Sequence, residues 1–217
     1  MKSCITLVGT LALLALAGPA SADVVIDFGS GILGPGGTVA VSGGQATGTN
    51  IGVQTMIVTG TVGHDGTYIL FGAGPSAGGS NGSALVNFNT ATGVFSVVGG
   101  VCALGTGLGG TCVPLVASTT LATGTGSASI STISSTTLVF VQPDTKAASL
   151  LTALGLSPSL PFKLMSATFN YTGTASPFTV TSTDIQNVSV PEPTSILMLG
   201  TAMLGMTNLI RRRSRKA

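Results

Sequence analysis

Charge is what this sequence has least of. Asp, Glu, Lys and Arg make up 6% of its 217 residues, against roughly 25% in ordinary domains. It has no Trp, 5% aromatics, three cysteines and a single histidine, His64. Each shortage removes a class of chemistry. One His and two Cys beyond Cys4 cannot supply the four ligands of a structural zinc. No Asp-x-Asp-x-Asp loop is present for calcium. No metal and no cofactor is expected. Residues 23 to 190 contain no Glu and few rings to stack on a sugar, which weighs against a paired-carboxylate glycosidase. Basic residues are scarce there too. Lys146 and Lys163 stand against Asp23, Asp27, Asp65, Asp144 and Asp184, leaving this stretch at −3. A phosphate backbone needs a basic stripe, so a nucleic-acid partner is excluded.

What is abundant is glycine, 32 residues, and small residues of the Ala, Val, Ser and Thr type. Mean hydropathy is +0.62, yet the long apolar runs lie only at the two ends. At the N-terminus, Lys2 precedes an apolar core over 5–17, Gly18 and Pro19 break it, and Ala20-Ser21-Ala22 follows. This order is that of a secretory signal peptide over 1–22, cleaved between Ala22 and Asp23. Cys4 lies before the apolar core, so the pattern is not that of a lipoprotein.

The C-terminal end, 190–217, has three parts in sequence. Pro191-Glu192-Pro193 comes first. An apolar stretch over 196–210 follows, and Arg211, Arg212, Arg213, Arg215 and Lys216 close the chain. The apolar part is just long enough to span a bilayer core as a transmembrane helix. Basic residues stay on the cytoplasmic side, which puts the rest of the chain outside. The two prolines keep their segment extended. This constellation resembles the PEP-CTERM sorting signal. The resemblance implies a membrane enzyme, exosortase, that recognises the tail and cuts near Pro191-Glu192-Pro193. It also implies a Gram-negative source that makes exopolysaccharide. The protein would pass through the inner membrane and end at the cell surface or in the extracellular matrix.

Between these ends, 23–189 reads as an all-β body, a β-sandwich or jelly-roll-like fold with one short helix. Short apolar runs alternate with turn residues, and Val and Thr suit a pleated surface. The expected strands are 24–28, 38–42, 54–62, 67–71, 83–89, 94–98, 113–121, 127–133, 137–141, 163–171 and 178–188. Within the fourth, Tyr68-Ile69-Leu70-Phe71 lacks alternation, which suits burial on both faces. A helix is expected over 145–154, with Asp144 as N-cap, Leu150, Leu151 and Leu154 as its apolar stripe and Gly155 as its stop.

Candidate chemistry in the body is thin. Gly29 to Gly34 and Gly105 to Gly110 each spell G-x-G-x-x-G. Neither opens a helix that would meet a pyrophosphate. Gly63-His64-Asp65-Gly66 reads as a hairpin turn with Asp65-Gly66 at the positive φ positions, rather than as part of a catalytic triad. Cys102 and Cys112 bracket a Gly-rich loop, and export permits a disulfide between them. Thr-x-Thr pairs recur at irregular spacings, as solvent faces of strands do. Asn81, Asn170 and Asn187 each begin an incidental Asn-x-Ser/Thr pattern. The reading is therefore an exported surface or exopolysaccharide-matrix protein with a structural or interaction role, not an enzyme. The alternatives are a ligand-binding module (adhesin, carbohydrate or ice binder) and, further off, a secreted hydrolase. Exosortase and the inner membrane are transient partners, and exopolysaccharide a candidate lasting one.

Overall fold

The computed structural model describes residues 23–31, 35–72, 82–107, 111–124 and 126–190. They form thirteen strands. These are β1 (Val25–Gly29), β2 (Thr38–Ser42), β3 (Gln45–Val53), β4 (Thr55–Thr59), β5 (Gly66–Phe71), β6 (Ala84–Asn89) and β7 (Val94–Cys102), then β8 (Pro114–Gly124), β9 (Ser129–Ile133), β10 (Thr137–Gln142), β11 (Asp144–Lys146), β12 (Phe162–Thr172) and β13 (Phe178–Ser189). One helix, α1 (Ala148–Ala153), accompanies them. The all-β body with one short helix is thus present, and Asp23–Val190 is one compact unit.

Every strand pair is antiparallel, and all thirteen strands belong to one sheet. Its plan follows from the registers. β1 and β2 run consecutively along one edge of β13, through Val25↔Val188 and then Thr38↔Thr179. β3 and β4 run back beside them, separated only by Gln54. β5 and β6 lie next, and β7 lies beside both. Three successive long strands are therefore each interrupted near the middle. Beyond β7 the sheet continues through β8 to β11. Beyond β13 it continues through β12 and β10 to β9.

A sheet with one apolar face must cover that face, and a six-residue helix covers little. Here the sheet folds onto itself. Phe88 of β6 has its ring centroid 5.0 Å from Phe140 of β10 and 4.7 Å from Phe169 of β12. None of these three strands pairs β6 with the other two, so the contact joins facing parts of the sheet. Gly48 on β3 permits it, because a Cβ there would run into the Phe88 ring. Strand alternation supplies the inward set: Ile26 and Phe28, Met56 and Val58, Ala167 and Phe169 are all buried.

The structure changes several expectations. β3 was not expected, because Gly48, Asn50 and Gly52 dilute its pattern. It forms because Gly43 and Gly44, at φ 57° and 75°, close a two-residue hairpin from β2. The expected strand 54–62 is shorter, and β7 extends past 98 to Cys102. In β5 the faces do differ: Tyr68 and Leu70 are buried, Ile69 and Phe71 half-buried. The helix does not start at 145, and Asp144 is not its cap. Asp144-Thr145-Lys146 is instead a strand on β8. Ala147 occupies the N-cap with no side-chain hydrogen bond. Leu150, Leu151 and Leu154 are buried as expected, and Gly155 follows at φ 68°.

Because the aromatic contact joins facing parts of the sheet, Phe169→Ala is expected to lower unfolding free energy by about 3–5 kcal/mol. Denaturant titration followed by circular dichroism measures this.

Candidate functional site

The sorting residues Pro191, Glu192 and Pro193, the basic residues Arg211, Arg212, Arg213, Arg215 and Lys216, and Ala20 and Ala22 of the leader lie outside the described residues. So does the expected transmembrane helix. Asp23 is the first described residue of the body and is exposed.

Cys102 ends β7 and Cys112 precedes β8. The two are joined by a disulfide with a Cα–Cα distance of 5.3 Å, within the ordinary range. It closes the connection between two neighbouring strands, beside the Ala103 N–H bond to the Val113 carbonyl at 2.7 Å.

His64 lies in the connection from β4 to β5, as expected for a hairpin. The positive φ angles fall at Gly60, Gly63 and, as expected, Gly66, but not at Asp65. Asp65 is used differently. Its Oδ1 accepts hydrogen bonds from the Thr61 N–H at 2.6 Å and the Thr61 hydroxyl at 2.7 Å. Those bonds hold its carboxyl below the usual carboxylate range. The Tyr68 hydroxyl donates to the His64 carbonyl at 2.7 Å. Asp65 thus fastens the turn.

Two features were not foreseen. The first is a carboxyl pair. Ile26 and Phe28 point inward, so Asp27 lies on the opposite face of β1. Register puts Gln186 across from Asp27 and Asp184 across from Gly29. The two aspartates are therefore diagonal neighbours, with no side chain on Gly29 between them. Partial burial, then a hydrogen bond with Asp184 and repulsion by it, push Asp27 up to about 7. No spacing in the sequence announces this pair, because it depends on the last strand lying beside the first.

The second is a buried polar cluster. β11 turns Asp144 and Lys146 inward and Thr145 outward, where its hydroxyl meets that of Thr123 at 3.0 Å. The Lys146 ammonium nitrogen contacts Asp144 Oδ2, and both side chains are fully buried. It also donates to Asn187 Oδ1 on β13 at 2.7 Å. The Asn187 amide nitrogen donates to the carbonyls of Ile26 at 3.2 Å and Ile185 at 3.3 Å. The Phe162 and Phe28 rings lie 4.8 Å and 6.0 Å from Lys146 Nζ. Among the described residues no three or more His, Cys, Asp or Glu side chains gather in a metal-binding group.

Comparison with known families places the class. Residues 189–216 match the PEP-CTERM protein-sorting motif. The chain carries this motif, so it is an exported protein of the kind that exosortase processes at the membrane on the way to the cell surface. No curated protein and no solved structure matches the chain.

Two outcomes follow from the geometry. The folded protein holds the Asp27 proton more tightly than the unfolded chain does. The stability from that proton is full below pH 3.8 and lost as pH rises through about 7. Asp27→Asn is expected to flatten that fall and to melt higher than wild type above neutrality, as thermal melts across pH will record. Replacing both Cys102 and Cys112 with Ser is expected to lower stability by about 2–3 kcal/mol, read from chemical denaturation without reductant.

Proposed function

We propose that the body is a non-enzymatic structural or interaction module of the cell surface or exopolysaccharide matrix, delivered there by exosortase. The observation that carries the reading is the adjacency of fold and signal. β13 ends at Ser189, and the sorting match begins at residue 189. Cutting near Pro191-Glu192-Pro193 therefore removes the tail and leaves all the described strands intact. The body's composition supports the rest. It is slightly acidic, sparsely charged and rich in Thr and Ser, a surface suited to hydrated polysaccharide. Its polar clusters also fit a structural part. Asp65 is engaged by Thr61 rather than His64. Asp27 and Asp184 are neighbours on a sheet face opposite Ile26 and Phe28.

The test is mass spectrometry of the C-terminal peptide from cells with and without exosortase. Expected in normal cells is a C-terminus near Pro191-Glu192-Pro193, and in cells lacking the enzyme one that retains the tail. Replacing Pro191, Glu192 and Pro193 together by Ala is expected to reproduce the second result in normal cells. A C-terminus at Ala217 in normal cells would sink the sorting route. A matrix role predicts co-fractionation of the trimmed body with extracellular polysaccharide; recovery only as freely released protein would exclude it.

A further inference from the structure

The buried cluster of Lys146, Asp144 and Asn187 is an unusual object in a chain with so little charge. The region from 23 to 190 has two lysines and five aspartates, and one of each is placed in the core. A buried ion pair is a poor source of stability, because desolvating both charges offsets their attraction. Apolar residues of similar size would serve packing better. The arrangement is instead suited to a reaction.

We propose that Lys146 and Asn187 become joined by an intramolecular amide bond, with Asp144 as the proton-transfer group. The geometry assigns each role. Lys146 Nζ sits 2.7 Å from Asn187 Oδ1, so the amine and the side-chain amide are held against each other as in a near-attack arrangement. Hydrogen bonds to the Ile26 and Ile185 carbonyls fix the amide nitrogen and turn its carbonyl toward Lys146. Asp144 Oδ2 touches the same Nζ, while its Oδ1 is buried without a hydrogen-bond partner.

Electrostatics favours the reactive protonation state. Burial pushes the Lys146 amine down, opposed by Asp144. Burial likewise pushes the Asp144 carboxyl up, opposed by Lys146. Both directions favour a neutral amine beside a neutral carboxylic acid. A desolvated neutral lysine is a nucleophile, and a carboxylic acid within reach is a general acid.

The step balances without any added reagent. The Nζ lone pair attacks the Asn187 side-chain carbonyl carbon. Asp144 takes a proton from Nζ and delivers one to the departing amide nitrogen. The bond from Nζ to that carbon forms, the carbon–Nδ2 bond breaks, and ammonia leaves. Lysine amine plus asparagine amide gives a secondary amide and ammonia, with no change of oxidation state. Phe28 and Phe162 flank Nζ and shield the reacting groups from the water that would compete. The bond would tie β11 to β13 two residues before the end of the last strand.

The experiment is a peptide map of the full exported protein with a lysine-specific protease. Expected is no cleavage after Lys146. The peptide bearing Lys146 should be recovered joined to the one bearing Asn187, together lighter than their sum by one ammonia. Asp144→Asn, which keeps the shape and removes the acid, is expected to give the unjoined peptides with both side chains intact. Lys146→Arg, which keeps a long hydrogen-bond donor but removes the nucleophilic amine, is expected to do the same. Ordinary cleavage at Lys146 in wild type, with Asn187 in a free peptide, overturns the proposal. Loss of water confined to the Asp144–Lys146 peptide overturns it as well. A joined product from Asp144→Asn overturns the part given to Asp144.

Discussion

A single antiparallel sheet with little helix to lie on it has to hide one of its faces in some other way. In this body the constraint is met by folding the sheet over. Other features depend on it. Phe88 reaches Phe140 and Phe169 only because the two parts of the sheet face each other. Lys146, near one end of the sheet, reaches Asn187 on β13 for the same reason. Facing layers are therefore compatible with one continuous ladder of hydrogen bonds, and β13 is the member that joins the two flanks.

The polar groups divide by face. On the inner face, Lys146 contacts both Asp144 and Asn187 in surroundings that disfavour charge. On the other face of β13, Asp184 and Asp27 repel and share a hydrogen bond in partial contact with solvent. Both groups are brought together by the last strand. Neither resembles the His-centred chemistry that a count of functional residue types would search for, since His64 occupies a turn that Asp65 and Tyr68 fasten.

Much of the strand pattern was legible because Val, Ile and Thr cluster in short runs. Eleven expected strands have counterparts, and 38–42 matches β2 to the residue. What was not legible has a specific physical cause. β3 is held by its neighbours rather than by its own propensity, since a glycine that makes room for Phe88 weakens the local signal. Asp144 looked like a helix cap because that is the common use of Asp before a short apolar segment, and nothing local reveals that Lys146 is buried with it. Asn187 looked like part of an Asn-Val-Ser pattern until β13 was placed against β1. Disulfide spacing was readable because Cys102 and Cys112 are close along the chain. The Asp27–Asp184 pair joins opposite ends of the body and was invisible.

The place of β13 in the chain has a consequence for timing. β1 through β8 form a run of strands that pair mainly with near neighbours, and β9, β10 and β12 form a second run. Among the described strands, the second run joins the first by backbone pairing only through β13, the last strand of the body. Until β13 is in place, the edge of β1 that it covers stays unpaired. The body thus reaches its closed form only once the strand just ahead of the sorting motif has joined it.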